Sequence, residues 1–284
     1  MRTPLPQHHS PRATAARPRT ARLMPLLLPT LTLLALGACG EATATEADAT
    51  TTYGAPLRVG NGTARTYVVA RGDAPVEVGV ALSEDAFAGL PADHAPGGMQ
   101  MPDGHSTWDF MLPMPEGNPT PYRFVGLGWN PVGHVPPGVY DQPHFDFHFY
   151  TMSEADHATI LPTDPQFDAK AAHRPAPQFT PPGYVQLPGA VPLMGAHWVD
   201  TTSAELHGQL FTRTFLYGSW DGRLTFAEPM VTKAFMETKP DVRIGIPVPA
   251  RYDAPGYYAR EYRVYWAAPQ REYRVALTGL VEQR

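Results

Sequence analysis

From Pro143 to Tyr150 the chain alternates strictly between ionisable and large apolar residues: His144, Phe145, Asp146, Phe147, His148, Phe149, Tyr150. A β-strand sends successive side chains to opposite faces. Phe145, Phe147 and Phe149 then form one aromatic face, and His144, Asp146, His148 and Tyr150 form the other. A helix is the weaker reading, because Phe and Tyr favour strands and Pro143 begins the run. The two readings differ in chemistry. On a helix, His144 and His148 sit one turn apart and could grip one metal ion. On a strand they are about 13 Å apart, at roughly 3.3 Å per residue. Metal–nitrogen bonds of about 2 Å make it hard for one ion to reach both. The strand instead favours a neighbouring pair, His144 with Asp146 or Asp146 with His148, completed by ligands from other strands. Asp146 could also orient a histidine ligand from behind.

Period-two patterning recurs along the chain. Residues 64–70 read as a strand ending in a turn at Gly72-Asp73, and Val76, Val78, Val80 and Leu82 alternate with Glu77 and Gly79. A short helix is predicted from Ser83, stopping before Pro91, and another from Ser153, an N-cap candidate after the His/Asp strand. Between them, 92–143 is rich in Gly, Pro and Met and reads as loop-dominated, with short strands at 108–111 and 122–127. Residues 211–219 and 223–232 form a hairpin around Asp221-Gly222. A two-residue turn places Tyr217 opposite Phe226 and Phe215 opposite Glu228. Glu228 then shares a face with Leu224 and Phe226, where a carboxylate must be paired, protonated or metal-bound. The other reading is a wet strand end, which Pro229 favours. A helix to about residue 238 and strands at 242–248, 257–267 and 271–281 complete the pattern. The prediction is a mainly β (α+β) domain over residues 57–284, an antiparallel β-sandwich or open barrel with two or three short helices.

Composition supports many turns, with 33 Pro and 25 Gly in 284 residues. The N-terminus differs from the rest. Arg2, Arg12, Arg17, Arg19 and Arg22 precede an apolar run at 23–36, with no acidic residue in 1–38. This is the pattern of an export signal peptide over 1–38. Leu36-Gly37-Ala38-Cys39 resembles a bacterial lipobox, which would make Cys39 the lipid-modified first residue of the mature protein. The expected partner is then a membrane, through that anchor. Gly40 after the cysteine directs the protein to the outer membrane of the cell envelope, facing the periplasm or the exterior. Residues 39–56, small and polar, read as a flexible tether. Cys39 is the only cysteine, so no disulfide can form within the chain. Cleavage removes five of the 22 basic residues and none of the 27 acidic ones, leaving a net charge of about −10. An acidic surface of this kind argues against nucleic acid as a partner.

Gly133-His134-x-Pro136-Pro137-Gly138-x-Tyr140-Asp141-x-Pro143-His144-Phe145-Asp146-x-His148-Phe149-Tyr150 is a long signature. Together with Gly195-Ala196-His197-Trp198 and Glu228-Pro229-Met230-Val231-Thr232, it resembles a family of exported bacterial proteins of unknown function. The resemblance runs from about Gly60 to the C-terminus. It implies a fold and an exported setting, and no reaction.

Collected by type, the candidate metal ligands are His134, His144, Asp146, His148, His197 and Glu228. Several histidines plus a carboxylate from separate strands is how many non-haem metal sites are built. Neutral imidazoles suit Zn, Fe, Cu or Ni, with Zn or Fe the first expectation. The competing reading is a hydrogen-bonded ladder in which Asp146 holds an imidazole. Metal-free acid–base catalysis is a third. The chain has no Gly-x-Ser-x-Gly elbow, no P-loop and no dinucleotide glycine fingerprint. His94, His105, His157, His173 and His207 read as solvated. Tyr257, Tyr258, Tyr262, Tyr265, Trp266 and Tyr273 crowd the last hairpin, where packing is their commoner use and stacking of a sugar or apolar ligand the alternative. A strand-rich chain must also protect its sheet edges, which suggests a homo-oligomer.

Overall fold

The computed structural model describes residues 49–101 and 104–283. The signal peptide, Cys39 and the tether as far as residue 48 lie outside the described residues. The description begins with β1 (Ala49–Tyr53), β2 (Leu57–Val59), β3 (Gly62–Arg71) and β4 (Ala74–Ser83). β3 and β4 meet in a hairpin that turns at Gly72-Asp73, as the pattern predicts. β1 corrects the expected tether. Residues 49–53 pair antiparallel along β3, from Ala49 opposite Arg71 to Tyr53 opposite Tyr67. Three consecutive β-branched threonines, 50–52, explain this: they suit an extended edge strand even though they bury little.

After a 3₁₀ turn at Glu84–Phe87 come β5 (Met99–Gln100), β6 (Ser106–Pro113) and β7 (Phe124–Asn130). β7 is buried throughout and lies inside its sheet. Segment 92–143 is therefore less loop-dominated than its composition implies. β8 (His144–Tyr150) follows, then α1 (Glu154–His157), α2 (Phe167–Ala172), β9 (Tyr184–Gln186), β10 (Ala196–Asp200), β11 (Arg213–Trp220), β12 (Arg223–Thr232) and α3 (Lys233–Glu237). Ser153 caps α1 by accepting from the Asp156 amide at 3.0 Å, and Thr232 caps α3 by accepting from the Phe235 amide at 3.2 Å. The chain ends with β13 (Asp241–Gly245), β14 (Gly256–Tyr258), β15 (Glu261–Ala267), β16 (Glu272–Thr278) and β17 (Val281–Gln283). The single strand expected at 257–267 is two, because β14 leaves to pair with β17.

The strands form two large antiparallel sheets. One has seven strands, ordered β1-β3-β4-β16-β15-β13 with β2 also paired to β3. The other has eight, ordered β5-β6-β7-β8-β12-β11-β10-β9. Neither closes into a barrel, and the two large sheets are consistent with a β-sandwich. The main core lies between the sheets. Val68, Val78, Val80, Leu82, Val264 and Leu277 from the first meet Leu112, Val125, Leu127, Phe145, Phe147, Phe149 and Val231 from the second. The three phenylalanines of β8 are completely buried, worth roughly 1.5–3 kcal/mol each relative to exposure. Tyr262 and Tyr273 are buried within this core, which favours packing for those two.

The β11–β12 hairpin departs from its predicted register. A bulge between Gly218 and Ser219 inserts one residue, so Leu216 faces Glu228, Tyr217 faces Ala227 and Gly218 faces Phe226. Glu228 is almost wholly buried, so the wet-rim reading fails. Pro229 sits inside a strand paired on both sides, a place proline rarely occupies because it cannot donate to the ladder.

Candidate functional site

With its phenylalanines committed to the core, β8 turns His144, Asp146, His148 and Tyr150 to the opposite face of the eight-stranded sheet. That face is buried as well: His144, Asp146 and His148 all lie below one-tenth exposure. Its neighbours in register explain how polar groups fit there. On β7, Asn130 faces His144, Gly128 faces Asp146 and Gly126 faces His148. On β12, Thr232 faces His144, Met230 faces Asp146 and Phe226 faces Tyr150. Glu228, between Phe226 and Met230, falls level with His148. Segment 131–143 adds His134, which bridges to Tyr140 and brings its ring within 4.7 Å of the His144 ring.

The six candidate ligands gather into two sets of three, and within each set the ligand atoms lie within 4.8 Å of one another. His134, His144 and Asp146 form the first. His134 Nδ1 lies 2.7 Å from the Val135 carbonyl oxygen and His144 Nδ1 lies 2.6 Å from that of Gln142. A carbonyl only accepts, so each Nδ1 carries the proton and donates it. In the neutral rings both Nε2 atoms are then bare lone pairs. His144 Nε2 is 3.1 Å from Asp146 Oδ1, and His134 Nε2 is 3.4 Å from Asp146 Oδ2. Asn130 Nδ2 donates to Asp146 Oδ2 at 2.7 Å and fixes the carboxylate. Despite their proximity, His144 Nε2 and Asp146 Oδ1 make no hydrogen bond, and both are buried. Burial opposes a charge on His134, but Asp146 overrides it and raises the imidazole to about 9. Burial alone would raise Asp146; the two histidines outweigh it and hold the carboxyl well below its usual range.

The second set is His148, His197 and Glu228, from β8, β10 and β12. His148 Nε2 lies 3.2 Å from Glu228 Oε1, and His197 Nε2 lies 3.7 Å from Glu228 Oε2. Here too the buried His148 Nε2 and Glu228 Oε2 make no hydrogen bond. The Phe226 ring packs edge-on against both imidazoles, with centroids 5.0 and 5.2 Å away. Burial opposes a charge on His148, yet Glu228 raises it to about 9. For His197 burial prevails over Glu228 and the imidazole is lowered.

The strand reading of β8 therefore holds, and His144 and His148 go to different sets, as their spacing requires. Residues 134, 197 and 228 are brought to the row from a loop and two other strands. Asn130 and Asp109 belong to the same face and escaped the sequence reading. Gly128 shows why: a side chain there would sit 3.4 Å from both Asp109 Oδ1 and Asp146 Oδ2, so the glycine keeps open the space these two carboxylates flank. Only the β6–β7–β8 register reveals this. Of the histidines read as solvated, His157 is a correction. It is the last residue of α1 and is buried, with its ring 4.8 Å from Tyr150 and 5.3 Å from Phe124.

Two imidazoles and a carboxylate on a buried face form a donor set for a transition ion of borderline softness, with coordination positions left over for water or substrate. Residues 71–129 match the model of the TTHB210-like family, described as Hypothetical protein TTHB210. The matched segment covers β4 to β7, includes Asp109, and ends before the first of the six candidate ligands. It supports an uncharacterised family and brings no activity with it. No curated protein and no solved structure matches the chain.

Proposed function

We propose that this chain is an exported, lipid-anchored metalloprotein that holds a divalent transition ion, zinc or iron, through His134, His144 and Asp146. One observation carries the reading. Two imidazoles have their Nδ1 protons engaged by backbone carbonyls, their Nε2 atoms converge on the oxygens of one buried carboxylate, and His144 Nε2 and Asp146 Oδ1 make no hydrogen bond. Acceptor facing acceptor is unfavourable unless a proton or a metal ion lies between, and Nδ1 held by a carbonyl is the usual way a histidine ligand is oriented. When bound, the ion would supply Lewis acidity and lower the pKa of a coordinated water. His134 is the one partly exposed member of the set, at 20% of its side chain, so solvent would reach the ion from that side. Asp146 would keep its place through the Asn130 amide.

The test is metal analysis of the purified full chain. Metal bound in wild type, with one equivalent lost from His144→Ala and from Asp146→Asn, is the expected result. Near-zero metal in wild type after reloading with Zn²⁺ or Fe²⁺ removes the reading. Export and anchoring rest on Arg2–Arg22, the apolar run and the Cys39 motif. Incorporation of radiolabelled palmitate, abolished by Cys39→Ala, tests them separately.

A second reading rests on a cavity of about 330 Å³ lined by Tyr122, Tyr217, Tyr252 and Tyr258, where the Tyr252 and Tyr258 rings stack at 3.6 Å. It would take an apolar or sugar-like ligand, with the His/Asp row serving only as structure. Ligand binding weakened by Tyr252→Ala, in a chain free of metal, favours it.

A further inference from the structure

We propose that His148, His197 and Glu228 hold a second divalent ion of their own, beside the first and sharing no ligand with it. The set is drawn from three strands of one sheet, β8 and β12 paired directly and β10 one strand further on beyond β11, so its geometry is fixed by the ladder and does not depend on a loop. His148 and Glu228 are each at most 2% exposed, and each leaves a ligand atom without a hydrogen bond. Such a buried orphan has given up its hydration with nothing in return. A simple His148–Glu228 ion pair does not remove both costs, because Nε2 stands 3.2 Å from Oε1 in poor alignment and Oε2 still faces His197. One cation between the three atoms satisfies all of them together.

Two further features mark the place. Pro229 follows Glu228 in the interior of β12, and the β8–β12 register is paired at Ala227 and resumes only at Met230. A ladder broken in mid-sheet sacrifices stability, and such sacrifices gather where side chains have another task. Gly126 faces His148, and a side chain there would press on the Tyr150 ring at 3.2 Å, so β7 leaves room beside the imidazole. The two sets are separated by one step of β8. Asp146 and His148 are alternate residues, roughly 6–7 Å apart along a strand. Two imidazoles and one carboxylate select zinc, cobalt, nickel or copper over the oxygen-seeking magnesium and calcium.

The experiment is metal counting on the full chain, stripped with a chelator, reloaded with Zn²⁺ or Co²⁺ and desalted. Wild type is expected to hold one equivalent more than Glu228→Gln or His197→Gln, and also one more than His144→Ala. Glu228→Gln combined with His144→Ala should lose both. Full wild-type metal content in Glu228→Gln and His197→Gln overturns the proposal. If metal disappears only in His144→Ala, the second site falls and the first stands; if only in Glu228→Gln and His197→Gln, the reverse holds. His197 lies at the rim with 15% of its side chain exposed, so His197→Gln decides the matter should Glu228→Gln fail to fold by circular dichroism.

Discussion

Gly218 of β11 stands directly across from Phe226 of β12, and the Phe226 ring fills the space that any side chain at 218 would need. A Cβ there would come within 1.9 Å of the ring. The same ring is wedged against His148 and His197. Gly218→Ala must therefore push the ring toward the imidazoles or part the strands. The expected cost is about 1–3 kcal/mol from overpacking, read as a lower urea midpoint. Metal content at His148, His197 and Glu228 should fall with it, while content at His134, His144 and Asp146 is kept. A wild-type midpoint would show that the bulge absorbs the methyl group.

Asn130 touches no proposed ion but holds the Asp146 oxygen that faces His134. Removing the amide in Asn130→Ala frees the carboxylate to rotate. Metal affinity should drop roughly 10–100-fold with all three ligands intact. Titration calorimetry with Zn²⁺ checks this, and Asn130→Ala binding as tightly as wild type would show that Asp146 is held by the sheet alone.

How much of this was legible in the sequence depends on how local each rule is. Strict alternation names the two faces of β8 from eight residues, and a turn at Asp221-Gly222 names the hairpin. The same rules cannot see a bulge, and the extra residue on β12, Thr225, moved Glu228 from opposite Phe215 to opposite Leu216. Pro229 misled for a related reason. It suggests a strand end on propensity, whereas pairing with Phe215 of β11 holds it in mid-strand, at the gap in the β8 ladder. β7 runs past its expected end at Leu127 to Asn130, through Gly128, a residue of low β propensity that makes space beside Asp146. Asn130 and Asp109 are invisible without the register of β6, β7 and β8, since neither sits in a row of candidate ligands. The division into two sets follows from geometry that residue types do not carry.

His157 sets the acid limb of the stability profile. Burial first, and the nearby His148 second, lower its imidazole from 6.5 to about 4. A histidine depressed in the folded state contributes stability that is fully present above the unfolded value of about 6.5 and is lost as pH falls toward 4. Partial contact with solvent discounts the effect to roughly 1–2 kcal/mol at pH 4.5. His157→Leu, which keeps the packing on Phe124 and Tyr150, should flatten this limb. Urea midpoints at pH 7 and 4.5 check it, and an equal fall in wild type and variant would assign the limb to carboxylates instead.

The alkaline limb separates the metal-free from the metal-bound protein. Without an ion, burial disfavours charge on His134 and His148, but Asp146 and Glu228 raise both to about 9. Groups raised in the folded state give stability that is complete below about 6.5 and drains away as pH climbs through 9, a change on the order of a few kcal/mol. A bound ion takes the place of those protons, so the imidazoles are neutral in the folded state and neutral in the unfolded state above pH 7.5. Linkage to proton release then vanishes, and the profile should lie flat from pH 7.5 to 9.5. At 100 times its dissociation constant the ion also adds about 2.7 kcal/mol. Urea midpoints at pH 6.5, 8 and 9.5, with EDTA or with Zn²⁺, should diverge as pH rises, and His144→Ala should narrow the gap. Parallel profiles with and without the ion would mean that protons, and not a metal, belong between these imidazoles and carboxylates.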